Sequence, residues 1–384
     1  NWIRRMGKIY SLRLRPVYLH SKVTYSTDEL DSYLEKIAAS WNVEPVDAAV
    51  VFHPDAAVKF TVTEEKPGRV LDLEEARHGI ETELARGKTD FTVPLSSREA
   101  LPEIHAGDLA GKTEKLVTFG TDLSKSAADR THNVVTAASR FNGLVVRPGE
   151  ILSFNRVVGE RTAEKGYRSA PMITADKSFQ DAIGGGVSQT SSTLYNAAIR
   201  SGLEVVEYQR HSFPVSYIGK GLDTTVNLPT PAIDIKVENT KDSPIYIHTF
   251  HADQKIYFEI YGEPLPRGRT IQIRTEEYET VPAPETEIRR DEEGRYVTYE
   301  EEKHVHVAPR EGYKVRVYRE FVEGNRVVDS ELLDDHYYRP IAGITYVGVK
   351  KRRTAEPDTD PAPEADAGSS GTGETGSVPE PNAR

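Results

Sequence analysis

Three consecutive glycines, Gly184-Gly-Gly186, stand just ahead of Ser188, and a stretch of helical texture runs from Gln189 to Arg200. Glycine lets a backbone turn sharply and approach a ligand with no Cβ in the way. A helix opening beyond such a turn directs unpaired N–H groups and the positive end of its dipole at whatever sits there. That favours an anion, either a carboxylate or the oxyanion of an acyl-transfer step. Two further segments, Arg210-His-Ser-Phe-Pro-Val-Ser-Tyr217 and Gly221-Leu-Asp-Thr-Thr-Val226, bring His211 and Asp223. A hydroxyl at a helix start, an imidazole and a carboxylate are the parts of an acyl-transfer triad, with Ser188 as nucleophile, His211 as general base and Asp223 as its orienter. The same residues also fit structural roles. Ser188, like Thr190 and Ser191, is a good helix cap, the glycines suit a tight loop, His211 beside Pro214 suits a packed strand, and Asp223 after a glycine suits a turn.

Other polar groups offer less. His304 and His306 share one face of a strand, and His248 lies near His251, but no third and fourth ligands follow at metal-site spacing, so neither a metal nor a cofactor is expected. Glu300-Glu-Glu302 and Asp334-Asp335 read as solvated charge, and Trp2 and Trp41 as apolar anchors. The 384 residues include no cysteine, which excludes disulfides, thiolate metal sites, redox CxxC pairs and a cysteine nucleophile. The net charge of −11 is unevenly placed: the first 22 residues carry six basic groups and no acid, while Thr354 to Arg384 carries seven acids and one arginine. What remains gives no broad basic face for nucleic acid. No apolar run approaches the roughly 18 residues that cross a bilayer, and because the chain begins at Asn1 and not at Met, an upstream signal or anchor is expected ahead of it.

The elements that must position these groups follow from spacing. Ser26-Thr-Asp-Glu29 and Asp72-Leu-Glu-Glu75 read as capping boxes, opening one helix to about Ser40 and another closed by Gly87. Between them lie strand-like runs, Ala48–Phe52 and Val58–Val62. Ser126-Ala-Ala-Asp129 starts a helix carrying Val134, Ala137, Ala138 and Phe141, stopped by Asn142-Gly143. A turn at Arg147-Pro-Gly-Glu150 leads into a short strand, Ile151–Phe154. Alternating runs at Ile233, Ile235 and Val237, at Ile245 and Ile247, and at Ile256, Phe258 and Ile260 predict strands, with a hairpin turn at Ala252-Asp-Gln. From about Arg267 to Lys350 short Tyr-, Val- and Thr-rich strands dominate, and beyond them Pro, Asp, Glu, Gly and Ser leave too little apolar surface to order the chain.

Six blocks in order carry a resemblance: Arg130-Thr-His-Asn133, Pro148-Gly-Glu-Ile-Leu-Ser-Phe-Asn155, Arg161-Thr-Ala-Glu-Lys-Gly-Tyr167, Gly184-Gly-Gly-Val-Ser-Gln189, Ser192-Thr-Leu-Tyr-Asn-Ala197, and His211 through Gly221-Leu-Asp-Thr-Thr-Val226. Together they resemble the VanW family. The segment ahead resembles the peptidoglycan-binding domain that often precedes VanW or L,D-transpeptidase domains in wall proteins of Gram-positive bacteria. The segment behind, ending Gly343-Ile-Thr-Tyr-Val-Gly-Val-Lys350, resembles a degenerate G-five domain, a β module associated with wall glycans. The resemblance implies a multidomain α+β chain: a basic lead segment at 1–23, a peptidoglycan-binding domain at 24–112, a VanW domain at 113–265, a G-five-like module at 266–350 and a disordered acidic tail at 351–384.

It also implies a membrane-anchored protein on the extracellular face of the membrane or in the wall, with peptidoglycan stem peptides and glycan strands as partners. In some members a cysteine after the three glycines takes an acyl group from a stem peptide and passes it to an amine of a neighbouring stem, an L,D-transpeptidase-like reaction. Ser188 stands at that position. Under this reading Gln189 and the N–H groups at the helix start stabilise the oxyanion, and Gly184, Gly185, Gly186 and Asn196 face substrate. A thiol there ionises readily, whereas a serine must lose its proton to a base during attack. The alternative is a non-catalytic peptidoglycan-binding envelope protein.

Overall fold

Leu34 and Ala38, one turn apart, form the buried stripe of one helix, and Ala76 the buried point of another. Short helices like these owe their stability mainly to packing. The computed structural model describes residues 2–14, 24–174, 177–228 and 232–352 of a multidomain α+β chain. Two compact units divide it, Asn1–Glu285 with Val307–Ala342, and Thr286–His306 with Gly343–Arg384. Residues 15–23 of the basic lead segment and 353–384 of the acidic tail lie outside the described residues. No described helix is long and apolar enough to cross a membrane.

In the first unit, α1 (Trp2–Leu14) is a helix in the basic lead segment, and its Trp2 is exposed, not a buried anchor. Next come α2 (Leu30–Trp41), β1 (Ala49–Phe52), β2 (Phe60–Thr63), β3 (Gly68–Leu71), α3 (Leu73–Ala85) and β4 (Ser97–Ala100). The first expected capping box does not form. Ser26 Oγ accepts from the Asp28 N–H within a turn, and α2 opens one turn later behind Glu29, whose side chain makes no cap bond. Asp72 does cap α3, accepting from the Glu75 N–H at 3.0 Å. Trp41 is also half out in water, with the Arg69 guanidinium 4.3 Å over its ring.

The centre holds β5 (Glu114–Asp122), α4 (Ala128–Ser139), β6 (Leu144–Val146), β7 (Ile151–Ser153), α5 (Phe154–Val158), β8 (Ser169–Ile173), β9 (Phe179–Ile183), α6 (Ser188–Arg200), β10 (Glu204–Glu207), β11 (Lys236–Glu238), β12 (Ile245–Ala252) and β13 (Lys255–Gly262). Four strands form an antiparallel sheet in the order β5-β13-β12-β6. The β12–β13 hairpin turns through Asp253 and Gln254, both at positive φ, the twist that suits a two-residue hairpin loop. The alternation Ile256, Phe258, Ile260 faces α4 and α6, where Phe258 meets Phe141 at 5.6 Å and Phe141 meets Phe154 at 5.2 Å. Phe154 begins α5 in place of ending the strand, because Ser153 caps that helix through the Arg156 N–H. On the opposite face of the sheet Phe52 and Phe60, stacked at 4.9 Å, pack against Tyr246 and Tyr261, which docks the β1–β2 hairpin there.

Beyond β13 run β14 (Thr270–Val281), β15 (Glu287–Arg290), β16 (Lys303–Val307), β17 (Gly312–Glu323), β18 (Arg326–Tyr338) and β19 (Ile344–Val347). The long strands β14, β17 and β18 form an antiparallel sheet of the first unit. In the second unit β19 pairs in parallel with β15, and the rings of His304 and Tyr296 stack at 4.8 Å with Tyr346 beside them. Among the described residues no group of three His, Asp or Glu could hold a metal ion.

Phe258 is wholly buried where sheet, α4 and α6 meet. The substitution Phe258→Ala is expected to cost about 3–5 kcal/mol of stability, read as a lower denaturation midpoint in urea at unchanged slope.

Candidate functional site

Helix α6, Ser-Gln-Thr-Ser-Ser-Thr-Leu-Tyr-Asn-Ala-Ala-Ile-Arg, is buried from Gln189 to Ile199 despite its polarity. Burial of hydroxyls and amides is tolerated when each finds a partner. Thr190 Oγ1 donates to Val134 O, Thr193 Oγ1 to Gln189 O, and Ser191 Oγ and Ser192 Oγ both reach Thr224 O. The Thr224 N–H returns a bond to Ser192 Oγ at 2.9 Å. The row of small polar residues on α6 therefore clamps the strip Gly221–Val226 along the helix. Asn196 is part of this clamp. Its amide donates to Ser192 O and Leu222 O while its oxygen accepts from Arg200, so its side chain is spent on structure and not turned to substrate.

The strip in turn presents Asp223, which is 1% exposed. Its Oδ2 accepts from the His211 ring at 2.7 Å and from the His211 backbone N–H at 2.9 Å, and its Oδ1 accepts from the Tyr338 hydroxyl. Burial pushes the Asp223 carboxyl up, but the bonds from His211 and Tyr338 outweigh it and hold the group below the ordinary carboxylate range. A carboxylate only accepts, so the Nδ1 of His211 carries a proton, and Nε2 is the ring nitrogen left to exchange one. Nε2 makes no hydrogen bond among the described residues. Arg210 braces the pair from behind: it donates to Asp223 O, to the Tyr195 hydroxyl at 2.8 Å and to Asp334 Oδ2 at 2.9 Å. Asp334 is thus the partner of a buried arginine, not the solvated charge its sequence setting suggests.

Ser188 occupies the first turn of α6, half-buried, with Val187 at the cap position. It is not the cap. Its Oγ accepts from the Val226 N–H at 3.3 Å and lies 3.5 Å from Thr225 Oγ1, so the nucleophile candidate and His211 are joined through one strip, with no direct bond between them. Gln189 is removed from the oxyanion role by its own bonds: its amide donates to Thr121 Oγ1 and Asp122 O, and its oxygen accepts from Arg130. The backbone donors remain, since no acceptor faces the N–H groups of Gly186 and Ser188 among the described residues. The glycines are required by packing. Gly186 sits at φ +97°, and a Cβ on Gly185 would lie 2.1 Å from Ala170 O.

Ser188, His211 and Asp223 thus come together around one strip. Tyr338, Arg210, Tyr195 and Thr225 join them unannounced by the sequence, and Tyr338 arrives from 115 residues away with no local motif to mark it.

Residues 129–261 match the family model described as VanW like protein, and residues 1–92 match that described as "Putative peptidoglycan binding domain". The chain carries a VanW-family domain. The uncharacterized protein YoaR of Bacillus subtilis is 35% identical over 188 residues, 49% of this chain and 61% of that protein. The vancomycin B-type resistance protein VanW of Enterococcus faecalis is 28% identical over 145 residues, 36% of this chain and 52% of that protein. The chain therefore spans under two thirds of the length of either relative. An IgA1 protease G5 domain structure is 21% identical, covering 22% of this chain and 98% of its own, with a TM-score of 0.15.

Because the Asp223 carboxyl is held low in the fold, its ionised form stabilises the protein above the unfolded value of about 4, and that contribution is lost as pH falls through the depressed folded value. Tyr338→Phe, which removes one of the donors, is expected to destabilise by about 1–2 kcal/mol at pH 7 and by clearly less near pH 2. Urea unfolding of parent and variant at both pH values tests this, and an undiminished gap at low pH would show that the phenol does not act through the ionised carboxylate.

Proposed function

We propose that this chain is an extracytoplasmic, wall-associated protein that engages peptidoglycan stem peptides at the cleft around Ser188, and that the cleft transfers an acyl group through Ser188. The observation that carries the chemistry is the fixed imidazole. His211 is bound to Asp223 through Nδ1, leaving Nε2 as an open base beside the strip that holds Ser188. The match to a peptidoglycan-binding domain and the likeness to VanW support the wall as the setting.

In this reading Ser188 Oγ attacks the acyl carbonyl of a stem peptide as its proton passes to His211 Nε2. The carbonyl oxygen gathers negative charge against the N–H groups of Gly186 and Ser188. His211 then returns the proton to the departing amine, leaving an ester on Ser188. An amine of a neighbouring stem attacks that ester and loses its proton to His211, which passes it to the departing Ser188 Oγ and is itself restored. Asp223 stays ionised and keeps the ring in register, and Tyr338 keeps Asp223 in place. The Ser188 hydroxyl must turn from the Val226 N–H towards His211 for the first step.

That same bond favours a second reading. Because Ser188 Oγ is engaged by Val226 and not by His211, the cleft can also hold a stem peptide without turnover. Incubation of purified protein with defined stem peptides separates the two. Under the first reading Ser188→Ala lowers turnover by about a thousandfold or more, and Ser188→Cys, a better nucleophile beside the same base, retains or raises it. Turnover that is unchanged in Ser188→Ala removes Ser188 as the nucleophile. Sacculus binding that survives Ser188→Ala, with unaltered muropeptides in parent and Ser188→Cys alike, assigns the binding role.

A further inference from the structure

Two arginines bracket the glycine loop, and among the described residues neither forms an ion pair with a carboxylate. A Cβ built on Gly184 would meet Arg161 Cβ at 2.7 Å, and one built on Gly186 would meet Arg130 Cγ at 2.6 Å, so both stems lie against the loop. Among the described residues Arg130 donates through one terminal nitrogen, to Ser126 Oγ and Gln189 Oε1, both neutral, and has the Tyr217 ring 5.7 Å away. Arg161 donates to Asn155 Oδ1, also neutral, while its NH1 is buried without a partner among the described residues. The Tyr167 hydroxyl is likewise buried and unpartnered, on a residue 3% exposed. Two nearby carboxylates make their hydrogen bonds elsewhere. Asp129 binds Arg168, and Asp234 accepts from Ser153 Oγ and from the N–H groups of Asn155 and Ile235. Burial pulls both guanidinium groups below the usual arginine range, against a smaller push from Tyr217 on Arg130 and from Tyr167 and Asp234 on Arg161. Two partly desolvated cations whose hydrogen-bond partners are neutral lie beside the free N–H groups at the start of α6, with Asp234 as the one carboxylate acting on either among the described residues, a setting that favours an added anion.

We infer that Arg130 and Arg161 form a subsite for the free carboxylate of a peptide ligand, with the Tyr167 hydroxyl as a further donor. This deepens, and rests on, the reading of the cleft as a stem-peptide site: the guanidinium groups fix the end of the peptide and so set which carbonyl stands over Ser188. Arg130 and Arg161 are positioning residues that leave proton transfer to His211.

The test uses the full chain with two synthetic stem tetrapeptides, isoglutamate amidated in both, one ending in a carboxylate and the other in an amide. Calorimetry is expected to show the acid binding about tenfold more tightly. Arg161→Gln and Arg130→Gln should each erase that preference for acid over amide, and Arg161→Lys should keep part of it. Acetate should raise the Tm of the parent and not of the double variant, with far-ultraviolet dichroism showing both folded. Equal binding of acid and amide overturns the subsite and leaves the stem-peptide reading standing. If neither peptide binds but acetate still protects through the arginines, the stem-peptide reading falls and the anion site stands. If neither peptide nor acetate binds, both fall. Inorganic phosphate outcompeting acetate at equal ionic strength overturns the carboxylate assignment in favour of a phosphorylated ligand.

Discussion

The buried carboxylate of Asp223 is the constraint on which the centre of this molecule depends. An ionised group at 1% exposure is costly unless its lone pairs are filled. Three donors fill them, from the ring and backbone of His211 and from Tyr338, and Arg210 lies close behind. Each donor belongs to a different stretch of chain or a different atom class, so satisfying one charge fixes the strip Gly221–Val226, the segment carrying Arg210 and His211, and the end of β18 against one another. The orientation of the imidazole follows from this arrangement and needs no separate device.

The second requirement is a wall that the strip can lean on, and α6 supplies it. An apolar helix would bury as well but could not bind a backbone running alongside it. The hydroxyls of Ser191 and Ser192 accept and donate to Thr224, and Asn196 takes Leu222 O, so the strip is held by groups that would otherwise be unsatisfied in the core. This explains a composition that looks more like a loop than a core helix. It also explains why the side chains of Gln189 and Asn196 serve the framework.

Much of this was legible in the residues. The Gly184–Gly186 turn, the helix behind it, the alternation that makes β12 and β13 and the pairing of His211 with Asp223 all follow local patterns whose physics is short-range. What was illegible depends on distant partners. Ser26 has the right type and spacing for a cap, yet the chain turns again before α2 begins. Asp334 reads as solvated until Arg210 is placed beside it, and Tyr338 is one tyrosine among nineteen until the β17–β18 hairpin carries it to Asp223. Side-chain amides such as Gln189 are ambiguous for the same reason, since only the folded neighbours decide which of their bonds are already used.

The reach of Tyr338 ties the maturation of the site to the order of synthesis. A ribosome releases Ser188, His211 and Asp223 well before it releases the phenol that closes on Asp223 Oδ1 115 residues later. Through that interval the nascent centre can gather its sheet and helices, but Asp223 lacks one of its three donors and Arg210 lacks Asp334. The imidazole gains its full support only when the last strand of the first unit is in place, so fragments ending before β18 would carry Ser188, His211 and Asp223 and still lack the phenol that completes their arrangement.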